Sequence, residues 1–463
     1  MSGHAFALTA AEMAEAFGGG LASGPAGLPL TTVSIDTRTL RAGDLYVAIR
    51  GPRFDGHAFV AEAIAKGAAA VVVTDAAAAA AAGVPVIVVD DTLHGLQAAA
   101  RVIRRRAGST VIAITGSAGK TTTKEIAATL LARRFTTFRN RGNLNNHIGL
   151  PLSLFELHTA PQFAVVELGM SGVGEISRLV AIAEPQVRVW TNAGDAHLGF
   201  FSSVDAIAVA KQEVLEGAAR DHVFVANAGD ARVIARASTF PGQVITFGVD
   251  VAADVAVSDV RGRGVQGTAA TLTLRGDARA IETRLLGTAN LENIAAASAV
   301  GLSCGLTADD IVSGIAGLAP APHRGAVVPA PGGWVVIDDA YNSSPAALLK
   351  ALETLASSSG RTVAVIGEML ELGDFADEYH ARSGEAAAVQ RIDVVVAVGG
   401  APARALADAA RRAGVADVHH AADSAAGAAI VRALVRSGDT VLVKGSRGIR
   451  MEVVVEALTE AVH

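Results

Sequence analysis

Short runs of β-branched and other apolar residues alternate along the chain with longer stretches rich in alanine and leucine. The clearest runs are residues 71–73, 86–89, 111–114, 163–166, 187–190, 223–225, 335–337, 363–366, 394–398 and 441–443. Buried strands that alternate with helical segments are typical of βαβ units in mostly parallel sheets. The pattern therefore predicts an α/β protein.

One region departs from this pattern. Between about residues 250 and 286 polar and apolar residues alternate, as in Thr271-Leu272-Thr273-Leu274. Such alternation is typical of antiparallel strands with one face buried and the other in water. We expect a short antiparallel section here.

Two stretches indicate domain boundaries. Three arginines followed by Ala107 and Gly108 precede an apolar run, and Pro320 and Pro322 stop any helix after Leu318. A chain of 463 residues is also too long for one ordinary core. We expect three domains: a small N-terminal α/β domain (1–106), a central domain with a doubly wound, mostly parallel sheet (107–319) and a C-terminal Rossmann-like α/β domain (320–463).

Composition narrows the class of protein. Apolar residues make up 51% of the chain and the formal net charge is −6, which argues against a general nucleic-acid binder. The single cysteine, Cys304, excludes an intrachain disulfide and is expected to be a small buried apolar residue. Residues 1–17 lack the pattern of a signal peptide. The apolar stretch 68–89 contains Asp75 and Pro85, so we expect strand, helix and strand rather than a membrane span, in a cytoplasmic protein.

The most informative segment is a buried strand, residues 111–114, that leads into a glycine-punctuated turn and a helix predicted at residues 124–133. The turn consists of Thr115, Gly116, Ser117, Ala118, Gly119, Lys120, Thr121 and Thr122. Its glycines let backbone N–H groups converge on phosphate oxygens. Lys120 would reach the β- and γ-phosphates of ATP, and Thr121 would ligate Mg²⁺. The general P-loop pattern has a glycine where this chain has Ile114.

Later strands end in residues that suit the same site. Glu167 ends one apolar run, and His197 follows the next by a few residues. Because the carboxyl ends of parallel strands meet at one edge of a sheet, both are expected near the phosphate loop as metal ligands. Lys211 follows in a predicted helix, residues 204–215, and by itself reads as an ordinary surface lysine.

Together these residues resemble the Mur ligases, the ATP-dependent ligases that build the peptide stem of the cell wall. The likeness includes the phosphate loop, Glu167, the segment from Asn192 to Leu198 and Ala210-Lys211. It implies catalytic roles for Lys120, Glu167, His197, Lys211 and Arg324, and Mg²⁺ ligation by Thr121, Glu167, His197 and Lys211. It also implies that Lys211 is carbamylated, which would turn a cation into an anion that supports Mg²⁺.

Other segments extend the resemblance to the rest of the chain. Residues 287–293 resemble a family motif whose asparagines approach adenine, Arg324 resembles an arginine that reaches the γ-phosphate, and residues 338–342 resemble a strand end that binds ribose and base. ATP contacts are therefore implied for Asn290, Asn293, Arg324, Asp338 and Asn342. The N-terminal segments resemble a uridine-diphosphate-binding domain, which implies substrate contacts by Ser34, Arg38, Phe54, Asp55, Gly56 and His57.

Three further segments, residues 143–151, 367–373 and 444–452, resemble the branch of the family that adds D-alanyl-D-alanine. They imply substrate contacts by Asn143, Asn145, Asn146, Lys444, Ser446 and Arg447. The implied partners are UDP-N-acetylmuramoyl-tripeptide and D-alanyl-D-alanine, with ATP and Mg²⁺, in a monomeric enzyme. Branches that add diaminopimelate or lysine usually carry an Asp-Asn-Pro-Arg loop, which this sequence does not contain.

Three alternatives stay open. A folylpolyglutamate synthetase would lack the hundred or so residues before the phosphate loop. A tripeptide-stage Mur ligase that adds a different amino acid is also open. A nucleotide-binding switch without ligation would leave Glu167, His197 and Lys211 without a shared purpose.

Overall fold

The computed structural model describes residues 5–51, 54–79, 83–196 and 198–460. The chain divides into two compact units. The first consists of the residues up to Ala113, Arg134–Arg188 and Glu213–Ala219. The second consists of Ile114–Arg133, Val189–Gln212 and the residues from Arg220 onward. The elements are α-helices and mostly parallel strands, so the α/β prediction is confirmed.

The first hundred residues form a five-stranded sheet in the order β2-β7-β6-β5-β4 and a small β1-β3 pair. The strands are β1 (Leu8–Thr9), β2 (Gly20–Ser23), β3 (Pro29–Leu30), β4 (Val33–Ser34), β5 (Leu45–Val47), β6 (Ala70–Val73) and β7 (Val86–Val88), and the helices are α1 (Ala10–Ala16), α2 (Val60–Ala65) and α3 (Thr92–Ala107). Between β6 and β7 the structure has a 3₁₀ turn at Ala76–Ala79 where a helix was predicted, and residues 80–82 lie outside the described ranges.

The arginine-rich stretch that was read as a boundary is the last turn of α3. Gly108 ends this helix with a left-handed φ of 67°. The Arg104 side chain is buried and donates hydrogen bonds to Ala183 O (2.7 Å) and Glu184 O (2.8 Å). A buried guanidinium with carbonyl partners anchors the helix end, so this stretch is a packed element rather than a flexible linker.

The middle of the chain contributes a nine-stranded sheet in the order β16-β15-β14-β13-β12-β11-β8-β10-β9. Its strands are β8 (Thr110–Thr115), β9 (Thr137–Arg139), β10 (Phe163–Glu167), β11 (Val187–Trp190), β12 (Val223–Asn227), β13 (Gln243–Val249), β14 (Val255–Gly262), β15 (Thr268–Leu274) and β16 (Asp277–Thr283). The helices are α4 (Lys120–Leu131), α5 (Gly149–Leu154), α6 (Glu175–Ala183), α7 (Val204–Lys211), α8 (Ala231–Ile234), α9 (Gly287–Ser303) and α10 (Ala308–Ala316).

Strands β14, β15 and β16 pair antiparallel, as predicted. Along β15 buried and half-buried residues alternate, which matches the polar and apolar alternation in the sequence. Cys304 is the C-cap residue of helix α9, and burial raises the pKa of its thiol to about 11. A thiol of this kind stays protonated at neutral pH and is a poor nucleophile.

The C-terminal region has a six-stranded sheet in the order β17-β18-β22-β19-β20-β21. Its strands are β17 (Ala326–Pro329), β18 (Val335–Asp339), β19 (Thr362–Gly367), β20 (Val394–Val398), β21 (Asp417–Ala421) and β22 (Thr440–Lys444), and its helices are α11 (Pro345–Ala356), α12 (Ala376–Val389), α13 (Ala401–Arg412), α14 (Ser424–Leu434) and α15 (Glu452–Thr459).

Helices cover both faces of this sheet. Along β19, Ala364 and Ile366 belong to one buried cluster, and Val363 and Val365 belong to another. Successive side chains of a strand point to opposite faces, so an uninterrupted apolar run fills two cores. None of the described helices combines the length and apolar character needed to span a membrane.

Candidate active site

The phosphate loop between β8 and α4 requires glycine at two positions. Gly116 and Gly119 have positive φ values of 150° and 82°. A Cβ atom on Gly116 would lie 1.8 Å from Thr191 Oγ1, and one on Gly119 would lie 2.2 Å from Asn293 Oδ1. The turn leads directly into the N-terminus of α4, which is a favourable place for an anion.

Helix α4 begins at Lys120, four residues before the predicted start. Threonine is a weak helix former, and three threonines occupy residues 121–123. The structure places these residues in the first turn, where tertiary contacts outweigh propensity. The Lys120 ammonium folds back over the loop and donates to Gly116 O (2.6 Å) and Ser117 O (3.4 Å).

Residues after β11 hold the loop in shape. The Asn192 amide accepts a hydrogen bond from Ala118 N (2.8 Å) and donates one to Ala118 O (3.2 Å). Thr191 Oγ1 donates to the same carbonyl (2.6 Å), and Ser117 Oγ donates to Gly194 O (3.0 Å). The sequence indicated Asn192 only as the start of the segment that contains His197. The two hydrogen bonds between the Asn192 amide and the Ala118 backbone were not predicted, because they depend on which strand ends are neighbours in the sheet.

Arg324 reaches the loop from the segment before β17. Its Nη2 donates to Thr121 Oγ1 at 3.0 Å. These two residues are 203 positions apart in the sequence, and they were predicted separately as a γ-phosphate contact and a metal ligand. The structure brings them together beside the phosphate loop.

The two asparagines predicted to approach adenine lie in the first turns of α9. Asn293 Oδ1 accepts a hydrogen bond from Thr123 Oγ1 (3.1 Å), and the Asn290 amide donates to Leu286 O (2.8 Å). Asn293 is buried and packs against Gly119. The Asn293 side chain therefore supports the start of α4, and contact of either asparagine with adenine stays a prediction.

Lys211 is the last residue of α7 and is only 1% exposed. Burial, with a contribution from the positive charge of Lys120, lowers the pKa of its amine well below the usual value. Among the described carboxylates none forms an ion pair with it. The expectation from the isolated sequence, an ordinary surface lysine, is therefore wrong. The role that the family resemblance implies for Lys211 stays a prediction.

Glu167 ends β10 in the first unit, where two asparagines hold it. Its backbone N–H donates to Asn140 Oδ1 (3.0 Å), and its Oε1 accepts a hydrogen bond from Asn145 Nδ2 (2.8 Å). Asn145 was predicted as a substrate contact. The structure gives it a local role in orienting the carboxylate, while the buried Asn140 was not identified from the sequence.

The neighbours of Asn145 have different environments. Asn146 Oδ1 accepts hydrogen bonds from Ile148 N (3.1 Å) and Gly149 N (2.8 Å) and so caps the start of α5. Asn143 O accepts a bond from Asn145 N (2.8 Å). Their contacts with substrate stay predictions.

Several predicted C-terminal site residues pair with one another. Asp338 Oδ2 lies 2.8 Å from His323 Nδ1, and Lys444 Nζ donates to Asp339 Oδ2 (2.6 Å) and Asn342 O (3.0 Å). Lys444 is 4% exposed, so a compensating carboxylate is required. These contacts connect the ends of the neighbouring strands β18 and β22.

Ser446 is buried and belongs to a second group of contacts, around residues 368–370. Its N–H donates to Glu368 O (3.0 Å), and its hydroxyl accepts from Leu370 N (2.9 Å). Two of the segments that resemble the D-alanyl-D-alanine-adding branch are therefore in direct contact.

The predicted uridine-diphosphate residues form two small networks in the first unit. Arg38 pairs with Asp36 (2.6 Å), and this hydrogen bond lowers the pKa of Asp36 to about 2. Asp55 accepts from His57 N (3.0 Å), which, with the His57 side chain, lowers the pKa of Asp55 to about 2. Both carboxylates are therefore charged at neutral pH. Other predicted contacts lie nearby: Ser34 bonds with Asp36, Gly56 accepts from the Tyr46 hydroxyl, and Phe54 is 73% exposed.

The sequence predicts Mg²⁺ ligands at Thr121, Glu167, His197 and Lys211. His197 lies outside the described residues. Within residues 5–51, 54–79, 83–196 and 198–460, there is no group of three or more His, Cys, Asp or Glu side chains that could hold a metal ion. Mg²⁺ is commonly held by one or two protein oxygens together with water and substrate phosphates, and Mg²⁺ ligation by Thr121, Glu167 and Lys211 stays a prediction.

We expect Gly119→Ala to weaken ADP binding about tenfold, because a left-handed alanine costs about 1–2 kcal/mol and its Cβ would displace Asn293. Isothermal titration calorimetry with ADP measures the effect. Gly414→Ala is the matched control, since Gly414 also has positive φ (102°) but has no atom within 4 Å of the added Cβ. Equal ADP affinity in the two variants would contradict the steric explanation.

His380 gives a second prediction, on stability. Its buried ring accepts from Met369 N at Nε2 (2.9 Å) and bonds to Ala376 O through Nδ1 (2.7 Å), and burial lowers its pKa. A histidine with a lowered folded-state pKa stabilises fully above its unfolded-state pKa, and this contribution is lost as pH falls. The urea concentration at the midpoint of unfolding should therefore decrease as pH is lowered from 7.5 to 5. This decrease should be less steep in His380→Gln. The exposed His94→Gln serves as control; an unchanged slope in His380→Gln would contradict the assignment.

Comparison with known proteins places this geometry in a family. Residues 29–104 match the description "Mur ligase family, catalytic domain", residues 114–301 match "Mur ligase middle domain", and residues 323–447 match "Mur ligase, glutamate ligase domain". The UDP-N-acetylmuramoyl-tripeptide–D-alanyl-D-alanine ligase of Bacillus subtilis is 34% identical, with 93% of each chain covered. The enzyme of that name from Escherichia coli is 33% identical, covering 94% of this chain and 95% of its own.

Solved structures of MurF enzymes are similar to this chain over nearly its whole length. MurF from Acinetobacter baumannii superposes with a TM-score of 0.88 at 30% identity, covering 98% of this chain and 99% of its own. MurF ligase from Thermotoga maritima, in complex with ADP, gives a TM-score of 0.83 at 30% identity, with 93% and 97% covered. The chain belongs to the Mur ligase family and has its three-domain α/β architecture. It is an ATP-dependent ligase.

Proposed function

We propose that this protein joins D-alanyl-D-alanine to UDP-N-acetylmuramoyl-tripeptide during peptidoglycan precursor synthesis, with ATP as the energy source. The observation that carries the proposal is the contact between Arg324 and Thr121, which adds a cation to the phosphate loop. The similarity of nearly the whole chain to ligases of that name supports the choice of substrates. A cytoplasmic location, where ATP and UDP-linked precursors are available, and a monomeric state belong to the same proposal.

The chemistry requires charge neutralisation before bond formation. The peptide carboxylate and the γ-phosphate of ATP are both anionic, and Lys120 and Arg324 offset their repulsion. A carboxylate oxygen attacks the γ-phosphorus, the bond to the β–γ bridging oxygen breaks, and ADP leaves. The neutral amine of the dipeptide then attacks the acyl carbon of the acyl phosphate, inorganic phosphate departs with the electron pair, and the nitrogen loses a proton.

The family resemblance implies Thr121 and Glu167 as Mg²⁺ ligands, and Mg²⁺ would supply further positive charge at the phosphates. Asn145 and Asn140 orient the Glu167 side chain and backbone for that task. His197 remains a proposed ligand by resemblance alone.

Carbamylation of Lys211 fits its surroundings. Addition of CO₂ requires a neutral amine, and the lowered pKa of the buried amine favours its neutral form. The product is an anion beside the positive charge of Lys120, so the modification would replace repulsion with attraction.

The test measures phosphate release from ATP with UDP-N-acetylmuramoyl-tripeptide, with and without D-alanyl-D-alanine. We expect release that depends on both, and a ligated product of the corresponding mass. Release that ignores the dipeptide would refute the assignment of the amine. Phosphate release in the absence of any amine would show that the measured reaction is not ligation.

A further inference from the structure

One aromatic ring contacts two arginines that come from separate segments. The Arg324 guanidinium carbon lies 4.1 Å from the ring centroid of Tyr341, and that of Arg447 lies 5.3 Å from it. Arg324 precedes β17, whereas Arg447 begins the 3₁₀ turn Arg447–Ile449 after β22. A guanidinium within about 6 Å of an aromatic centroid is attracted by the ring quadrupole.

Two cations on one ring repel each other unless anions are present. Among the described residues neither Arg324 nor Arg447 forms an ion pair with a carboxylate. We therefore expect anionic groups of the substrates, rather than carboxylates of the described residues, to neutralise the two arginines. The ligation offers two of them, the phosphate that is transferred and the carboxylate of the dipeptide.

The backbone sets the position of the ring. Tyr341 N donates to His323 O (3.1 Å), and Gly325 N donates to Asp338 O (2.8 Å), so the segments that carry Tyr341 and Arg324 are hydrogen-bonded to each other on both sides of the contact. The ion pair between Lys444 and Asp339 joins the end of β22, which leads to Arg447, to the same strand end. The Tyr341 hydroxyl bonds to none of the described residues, so the ring itself makes the arginine contacts.

We propose that Tyr341 is a positioning residue that links Arg324, on the nucleotide side, to Arg447, on the acceptor side. Arg324 binds the phosphate being transferred and Arg447 binds the carboxylate of D-alanyl-D-alanine. The shared ring keeps the two anions at a constant separation, so that the amine meets the acyl phosphate. This inference rests on the proposed function and adds to it the residue that couples its two substrates.

The experiment measures kcat and KM for ATP and for D-alanyl-D-alanine in Tyr341→Leu and Tyr341→Phe. We expect Tyr341→Leu to lower kcat/KM for both substrates about tenfold, since each cation–π contact is lost. Tyr341→Phe should recover most of that loss because it keeps the ring. Tyr379→Leu is the matched control: Arg382 lies 5.4 Å from the Tyr379 ring, but this pair lies within α12.

Double-mutant cycles separate positioning from general damage. In the Arg447→Lys background, Tyr341→Leu should add little to the loss in kcat/KM for the dipeptide, and the same should hold for ATP in Arg324→Lys. Thermal unfolding verifies that the variants are folded. Additive losses, a defect confined to one substrate, or a Tyr341→Phe variant as poor as Tyr341→Leu would overturn the proposal. Failure of the proposed function gives a different result: phosphate release by the wild-type enzyme would not depend on D-alanyl-D-alanine.

Discussion

Lys120→Ala is expected to lower dipeptide-dependent phosphate release about a thousandfold, as removal of a preorganised charge at a reacting phosphate does. In the structure the Lys120 ammonium bonds to Gly116 O and Ser117 O, directly over the loop that receives the phosphates. The variant removes a partly buried side chain at the start of α4 and leaves the helix backbone intact. Steady-state phosphate release measures the loss.

Arg404→Ala is the control for this variant, because it removes a cation from an exposed position of α13. We expect wild-type kinetics from it, and thermal unfolding within experimental error for both variants. A Lys120→Ala enzyme that turns over normally would show that the loop does not act on phosphate.

Lys211→Ala is expected to lower turnover about a hundredfold, with partial recovery on addition of formate or acetate. Lys211 is buried beside the charge of Lys120, and a carbamate there would supply a negative charge that alanine cannot. The space left by the truncated side chain admits a small carboxylate, which replaces the missing anion. Phosphate release with increasing formate measures the recovery.

Lys211→Met fills the same space without a nitrogen, so it should be inactive and should not respond to formate. In the wild-type enzyme, ¹³C-bicarbonate should produce a carbamate resonance that is absent from both variants. Full activity of Lys211→Ala, or the absence of that resonance from the active wild-type enzyme, would disprove carbamylation.

The sequence predicted the elements that depend on local chemistry. Apolar runs became buried strands, the alternation around Thr271 became antiparallel strands, and the glycine-containing turn joins β8 to α4. The errors were also local. Helix α4 begins at Lys120 rather than at residue 124, and Ala76–Ala79, within the predicted alanine-rich helix, form a 3₁₀ turn. The proposed domain limits and the contacts with substrate stay predictions.

The residues missed were those whose role depends on distant neighbours. Asn192 hydrogen-bonds to the backbone of Ala118, and Asn140 accepts a hydrogen bond from the backbone of Glu167. Nothing in the sequence around either asparagine indicates these contacts. Lys211 looked like a surface lysine until the fold buried it.

By itself the sequence determined the class of the protein, because a phosphate loop needs glycines and a lysine at fixed spacing along one strand–turn–helix unit. Only the tertiary structure decided which charges meet: Arg324 with Thr121, Lys444 with Asp339, and two arginines with Tyr341. The physical reason is that spacing along the chain governs a local turn, whereas contacts between separate segments, most of them here more than one hundred residues apart, follow from strand order and packing.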